Sequence, residues 1–124
     1  MKGKRILITG IAGSIGSELA RQLYADNTLY GLDLSEMGLH RLKRELKIPV
    51  RVGDIRNRET LRNIFDDFRP QVVIHAAANK SVDMMEYTPE EAISTNVNGT
   101  QNVLDYAKIS SVEKFVYIST DKVV

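Results

Sequence analysis

The feature that most constrains this chain is a glycine-rich stretch that directly follows a short apolar run. Residues 6–8, Ile-Leu-Ile, are typical of a parallel strand that is buried on both faces. The glycines that follow are spaced Gly-x-x-Gly-x-x-Gly, at Gly10, Gly13 and Gly16. We expect the first to permit a tight reversal, the second to let the backbone approach a pyrophosphate, and the third to let helix and strand pack closely.

The helix that begins within this stretch predicts an anion site. The backbone N–H groups of its first residues have no partner inside the helix, and the positive end of the helix dipole lies beside them. The predicted pyrophosphate site therefore comprises five residues of the turn and the first turn of the helix: Gly10, Gly13, Ser14, Ile15 and Gly16. Glycines also occur in turns and at helix ends for purely steric reasons, so this motif alone does not establish nucleotide binding.

Asp33 closes the second apolar segment, residues 28–34. In dinucleotide-binding folds, an acidic residue about 20 positions after the glycines accepts hydrogen bonds from the adenosine ribose. A carboxylate there would repel the 2′-phosphate of NADP, so Asp33 favours NAD. Alternatively, Asp33 caps the next helix, a role that Ser35 could fill instead, and Arg41 or a neighbour could reach a phosphate and weaken the preference for NAD.

Two later strand ends complete the predicted cofactor edge. Residues 48–53 predict a third strand, after which Asp54 could accept from the adenine amino group while Ile55 covers the ring. Residues 71–75 predict a fourth strand that leads into three small residues, where the backbone could approach the cofactor: Ala76, Ala77 and Ala78. We interpret His75 as a packed or hydrogen-bonded residue rather than a catalyst.

Strands and helices alternate along the whole chain, with short connections between them. Asn57 predicts the cap of a helix that carries Phe65 and Phe68 in the core, and Pro70 marks its end. A long helix beginning at Pro89 and a fifth strand at residues 114–119 follow. Right-handed crossovers then predict an α/β fold: a Rossmann-like, doubly wound parallel sheet in the order 3-2-1-4-5, truncated after strand 5. We expect residues 1–124 to form one NAD(P)-binding domain.

Composition excludes several other classes of function. The formal net charge of +1 gives no general argument for binding nucleic acid or an anionic membrane. The absence of cysteine excludes disulfides and thiolate chemistry, and two separated histidines make us expect no metal site. No apolar run approaches the length of a membrane span, and we interpret the basic start of the chain as that of a cytoplasmic protein.

Taken together, the motifs resemble the extended short-chain dehydrogenases/reductases. They are similar in particular to the bacterial polysaccharide-biosynthesis branch, which contains UDP-N-acetylglucosamine 4,6-dehydratases and related epimerases. The segments that carry this resemblance are Thr9-Gly10-x-x-Gly13-x-x-Gly16, Gly53-Asp54-Ile55, His75-Ala76-Ala77-Ala78-x-Lys80, Met85-Glu86, Asn96-Val97-x-Gly99-Thr100 and Ser119-Thr120-Asp121-Lys122.

The resemblance implies roles for five further residues. Lys80 would neighbour the cofactor phosphates or ribose, and Asn96 would help to hold the active-site water and backbone network. Thr120 would hydrogen-bond the sugar hydroxyl that is oxidised, and Asp121 and Lys122 would serve proton removal and elimination. The implied substrate is a UDP-sugar. Asp121 and Lys122 could otherwise be a solvated pair in a turn.

The chain also departs from the branch. Ser81 and Asp83 stand where many members have His and Pro, and members often use NADP, so we keep NAD and NADP both open. Nothing matches the Tyr or Met followed four residues later by Lys, nor the carboxyl-terminal sugar-binding region, so we expect a cofactor-binding fragment without turnover of its own. An exposed fifth strand would favour a homo-oligomer. The alternatives are a non-catalytic dinucleotide sensor and a sugar-nucleotide reductase.

Overall fold

The computed structural model describes residues 1–76 and 89–118, and of residues 89–98 it describes the backbone alone. Strands and helices alternate in the order β1 (Arg5–Thr9), α1 (Ser14–Leu23), β2 (Thr28–Asp33), α2 (Glu36–Leu46), β3 (Val50–Val52), α3 (Arg58–Phe68), β4 (Val72–His75), α4 (Pro89–Ile109) and β5 (Lys114–Tyr117). The strands form a parallel sheet in the order β3-β2-β1-β4-β5. The predicted fold class and strand order are therefore confirmed.

Two apolar cores lie on opposite faces of this sheet. The core beneath α1 and α2 contains the residues of β1 that face these helices, Ile6 and Ile8, together with Leu39 and Leu42 of α2. The core beneath α3 and α4 contains Leu7, Leu32, Leu61, Ile64, Phe65, Val73, Val103 and Ala107. Because consecutive residues of β1 enter different cores, the strand is apolar throughout, as expected for a strand covered on both faces.

The predicted helix signals are confirmed at α2 and α3. Ser35 is the N-cap of α2, and its hydroxyl oxygen accepts from the Gly38 N–H at 3.0 Å. Asn57 is the N-cap of α3 and accepts from two backbone N–H groups. Phe65 is 2% exposed and Phe68 packs against the same core, so these aromatic residues belong to the interior as predicted.

Several element bounds are shorter than the sequence predicts. The strand expected at residues 48–53 is Val50–Val52, because Pro49 has no N–H to donate and only its carbonyl joins the ladder, accepting from the Gly31 N–H at 3.1 Å. The side chain of Ile48 is nevertheless buried in the core. The strand β2, expected at residues 28–34, ends one residue early, at Asp33.

Candidate functional site

The register of the sheet brings the predicted site segments to one edge. Thr9 pairs with Leu32 on one side and with His75 on the other, so the carboxyl ends of β1, β2 and β4 lie at the same level. Asp33 is the last residue of β2, and Gly10 and Ala76 directly follow β1 and β4. In open parallel sheets, this edge, at the point where the strand order reverses, is where ligands bind.

The glycine turn has the conformation that its spacing predicts. Gly10 has a φ of +74°, a conformation that glycine adopts without a steric cost. A Cβ on Gly16 would lie 2.2 Å from the Gly10 carbonyl oxygen and 2.8 Å from the Ile11 Cα, so only glycine permits this close approach of helix and turn. The expected conformational roles of the first and third glycines are confirmed.

Gly13 differs from the other two glycines of the turn. A Cβ there would meet the Gly10 carbonyl oxygen at 3.4 Å, an ordinary van der Waals distance, and its φ of −73° suits any residue. Neither the described protein atoms nor the backbone conformation therefore requires glycine at this position. A ligand that approaches the backbone would give a reason for the missing side chain.

Among residues 1–76 and 89–118, none accepts a hydrogen bond from the first N–H groups of α1. Gly13 is the N-cap and supplies no side-chain acceptor, and the first turn of α1 contains no acidic residue. The helical hydrogen bonds begin with the Ser17 N–H, which donates to the Gly13 carbonyl at 2.9 Å. The N–H groups of Ser14, Ile15 and Gly16 precede this bond, so they are the donors that an anion could bind at the positive end of the helix dipole.

The turn is anchored in the core by a residue that the sequence reasoning missed. The side chain of Ile11 is fully buried in the core beneath α1 and α2. A Cβ on Gly31, in the middle of β2, would lie 2.6 Å from the Ile11 Cδ1 and Cγ2 atoms. Glycine inside a strand often marks such a close approach, and that signal could have identified Gly31.

Asp33 binds backbone N–H groups on two sides. Its Oδ2 accepts from the Ala12 N–H at 2.9 Å, and its Oδ1 accepts from the Ser35 N–H at 2.9 Å. Ser35, not Asp33, caps α2, so the alternative of Asp33 as the helix cap is wrong. Each carboxylate oxygen has a further lone pair, so hydrogen bonds from ribose hydroxyls remain possible in the same orientation.

Asp54 forms an ion pair within its own loop. The Arg56 Nη2 lies 2.8 Å from Asp54 Oδ2, and the Arg56 N–H donates to Oδ1 at 2.9 Å. These side-chain hydrogen bonds lower the pKa of Asp54 below its usual range, although burial opposes the shift. Asp54 is therefore ionised at neutral pH and acts only as a hydrogen-bond acceptor, as the predicted contact with an adenine amino group requires.

Ile55, Ala76 and Arg41 occupy different surroundings. Ile55 packs partly into the core beneath α3 and α4, and Ala76 is 8% exposed at the end of β4. Arg41 is exposed on α2. Three contacts stay predictions: that of Ile55 with the adenine ring, that of the Ala76 backbone with the cofactor, and that of Arg41 with a phosphate.

His75 is a buried, hydrogen-bonded residue, as predicted. Its Nδ1 lies 2.6 Å from the Thr9 Oγ1 and its Nε2 lies 3.1 Å from the Thr100 Oγ1. The rings of Phe115 and Tyr117 stack beside it. Burial lowers the pKa of His75 to about 4, so the imidazole is neutral at physiological pH. The two threonine partners were not identified from the sequence.

The remaining predicted residues lie outside what the structure describes. Ala77, Ala78, Lys80, Thr120, Asp121 and Lys122 fall outside residues 1–76 and 89–118, and Asn96 lies on α4 at a position where only the backbone is described. Over the described ranges, no group of three His, Cys, Asp or Glu residues could hold a metal ion. Over those same ranges, no helix combines the length and apolar character of a membrane span.

The sheet order and the glycine turn together define a Rossmann-like domain of the short-chain dehydrogenase/reductase type. Residues 6–124 match the model of a family described as "Polysaccharide biosynthesis protein". The chain belongs to this family.

Two curated relatives are similar over nearly the whole chain. An "uncharacterized membrane protein" of Methanocaldococcus jannaschii is 45% identical and covers 99% of this chain, which matches 38% of that protein. A UDP-N-acetylglucosamine 4,6-dehydratase (inverting) of Campylobacter jejuni is 38% identical over 97% of this chain and 37% of its own length. The chain thus spans little more than a third of the length of these relatives.

Solved structures share the fold. An epimerase from Methanothermobacter thermautotrophicus is 36% identical with a TM-score of 0.74, covering 94% of this chain and 35% of its own. The Bordetella bronchiseptica enzyme WbmG, solved in complex with NAD and UDP, is 29% identical with a TM-score of 0.78, covering 94% and 37%.

Proposed function

We propose that this chain binds the pyrophosphate of NAD or NADP at the amino end of α1, and that it is the cofactor-binding part of a nucleotide-sugar 4,6-dehydratase or epimerase of polysaccharide biosynthesis. The observation that carries the proposal is the glycine turn. Its first and third glycines are required by the fold, whereas no described protein atom requires glycine at Gly13. Gly13 adjoins the first N–H groups of α1, which have no acceptor in the part of the chain that the structure describes.

The residues of this edge suit the parts of a dinucleotide. The N–H groups of Ser14, Ile15 and Gly16 would donate to the pyrophosphate, since an uncapped helix end favours an anion. Asp33 would accept from the ribose hydroxyls, and Asp54 from the adenine amino group. Two carboxylates near the adenosine favour NAD, whereas the family resemblance leaves NADP possible.

The relatives support the reaction class. One is named a UDP-N-acetylglucosamine 4,6-dehydratase, and the similar structures include an epimerase and an enzyme in complex with NAD and UDP. A bound nicotinamide dinucleotide supplies a hydride acceptor that can return the hydride later in the cycle. A UDP-sugar is therefore the proposed substrate class of the whole protein.

The protein's own residues would move the protons. Thr120 would hydrogen-bond the C4 hydroxyl of the sugar and orient it for oxidation, in which the hydrogen on C4 leaves as a hydride and the hydroxyl proton passes to a base. The resulting ketone acidifies the C5 proton, and Lys122 or Asp121 would remove that proton and protonate the hydroxyl that leaves from C6 as water. A lysine serves this task when its pKa is lowered by burial or by a neighbouring cation.

A substitution at the helix cap tests the cofactor site. Serine at an N-cap stabilises a helix, because its side-chain oxygen accepts from the first N–H groups. Gly13→Ser should therefore keep or raise the urea midpoint of unfolding but lower affinity for NAD or NADP by about tenfold or more, because the hydroxyl competes for the donors that a phosphate needs. Titration calorimetry measures the affinity. Equal affinity of both proteins would contradict the proposed site.

A second substitution tests the enzyme proposal against the sensor alternative. In the full-length protein, Lys122→Ala should abolish turnover of UDP-N-acetylglucosamine and leave dinucleotide affinity unchanged, because Lys122 would move protons and not bind the cofactor. A non-catalytic sensor, by contrast, has no need of this side chain. Lys108→Ala is the matched control, because Lys108 is exposed in the last turn of α4. Full activity of the Lys122 variant would contradict the assigned role.

A further inference from the structure

The loop between β3 and α3, residues 53–57, is hydrogen-bonded by the side chain of Asn102 on α4. The Asn102 Nδ2 lies 3.2 Å from the Ile55 carbonyl oxygen and 3.3 Å from that of Arg56. Its Oδ1 accepts from the Arg58 Nη1 at 2.7 Å. Both polar atoms of the Asn102 amide therefore bind this loop or the first residue of the helix that follows it.

The packing around Asn102 brings α4 close to the same loop. Gly99 precedes Asn102 by about one helical turn. A Cβ on Gly99 would lie 2.7 Å from the Ile55 Cδ1 and Cγ1 atoms. The guanidinium of Arg58 also lies 5.2 Å from the centroid of the Tyr106 ring. The loop therefore contacts α4 through both its backbone and its side chains.

The loop itself is a compact unit. The Asn57 N–H donates to the Asp54 carbonyl at 2.9 Å, and Arg56 binds the Asp54 carboxylate through its backbone and its side chain. On the inner side, the Gly53 N–H donates to the Asp33 carbonyl at 3.0 Å. These bonds join the loop residues to one another, so the contacts of the loop with β2 and with Asn102 hold the Asp54 carboxylate in its place.

We propose that Asn102 is a positioning residue that places Asp54 for recognition of the adenine ring, an inference that rests on the proposed dinucleotide site. Without the donor of Asn102, two carbonyl groups lose their common partner, and the loop turns to find water. The displacement carries Asp54 away from the adenine amino group. Asn102 thereby links adenine recognition to α4, the helix that also carries Thr100 and Asn96.

A comparison of NAD with nicotinamide hypoxanthine dinucleotide isolates this contact. The analogue has an oxygen in place of the adenine amino group, so it cannot donate to Asp54 there. The unmodified chain should bind NAD about tenfold more tightly or better, because a hydrogen bond to a charged group contributes at least that factor. Asn102→Asp keeps an acceptor for Arg58 but sets a carboxylate against the carbonyls of Ile55 and Arg56. This variant should prefer NAD by no more than about twofold.

Gln101→Ala is the matched control, because Gln101 is exposed and hydrogen-bonds only its helix neighbour Asp105 among the described contacts. It should keep the preference of the unmodified chain. A general loss of stability would lower the affinity for both dinucleotides by the same factor. An Asn102→Asp variant that binds both less tightly but keeps the preference for NAD therefore overturns the positioning role. A chain that binds both dinucleotides equally well before any substitution also overturns it.

Failure of the proposed function gives a different result from failure of this inference. If the unmodified chain binds neither dinucleotide, the proposed cofactor site fails. Hydrogen exchange at residues 54–58 still tests the support from α4 in that case, with no ligand present. Exchange there should rise at least about tenfold in Asn102→Asp and not in Gln101→Ala, because the amide supports two carbonyl groups. Equal exchange in both variants would overturn the inference.

Discussion

The buried imidazole of His75 should make the stability of this chain depend on pH in a window where few other groups titrate. Its pKa is lowered to about 4 by burial, whereas a histidine in an unfolded chain has a pKa of about 6.5. The unfolded chain therefore takes up a proton more readily than the folded chain. The contribution of neutral His75 is fully present above about pH 6.5 and is lost as the pH falls towards about 4.

The size of this effect follows from the difference between the two pKa values. One pKa unit corresponds to about 1.4 kcal/mol, so the full contribution of His75 to the free energy of unfolding is about 3 kcal/mol. About 2 kcal/mol of it should be lost between pH 7.5 and pH 5. The carboxyl groups of Glu45, Asp54 and Glu113 have lowered pKa values, so their contributions are lost at lower pH.

Urea unfolding at several pH values measures the effect, and the chain supplies its own control. Its two histidines are His75 and His40, and His40 is exposed on α2. The unmodified chain and His40→Gln should lose the same stability between pH 7.5 and pH 5, whereas His75→Gln should lose little. A His75→Gln variant that keeps the full pH dependence would refute the reasoning. If this variant fails to fold, NMR titration of the unmodified chain decides, because an imidazole of His75 that titrates near pH 6.5 is incompatible with its burial.

Four further substitutions test the packing and charge of the predicted cofactor edge. Gly16→Ala should lower the free energy of unfolding by about 1–3 kcal/mol in urea, because its Cβ would lie 2.2 Å from the Gly10 carbonyl oxygen; an unchanged midpoint would contradict this. Gly31→Ala should cost a similar amount, and adding Ile11→Ala should recover part of it, so strictly additive losses would argue against their contact. Asp33→Asn should cost about 1–3 kcal/mol, because an amide cannot accept both backbone N–H groups. In calorimetric titrations, Asp33→Asn should also shift preference towards NADP, and an unchanged ratio of affinities would contradict its role in selecting NAD.

The fold could be predicted because its local signals agree with one another. Continuous apolar strands, helix caps at Ser35 and Asn57, and the glycine turn each indicate an alternating α/β chain. The strand bounds were less predictable. Ile48 is apolar and buried like a strand residue, yet it lies before Pro49 and outside β3. Burial at this position therefore does not indicate a hydrogen-bonded strand residue.

The candidate site was only partly predictable, because side-chain partners depend on distances across the sheet. The positions of Asp33 and Asp54 follow from strand ends, but their engagement with Ala12 and Arg56 does not. The hydrogen bonds of His75 join residues 66 and 25 positions apart, and no local pattern encodes such pairs. Asn102 was missed for the same reason, since its partners lie 46 and 47 positions away.

The central claim is that a dinucleotide binds at the amino end of α1, and amide chemical shifts test it most directly. Addition of NAD to the ¹⁵N-labelled chain should shift the backbone amides of the glycine turn and of residues 14–16 most strongly, followed by those near Asp33 and Asp54. The amide signals of Lys47 and Arg69, the C-cap residues that follow α2 and α3, should not shift. Shifts confined to other residues, or none at saturating NAD and NADP, would contradict the account.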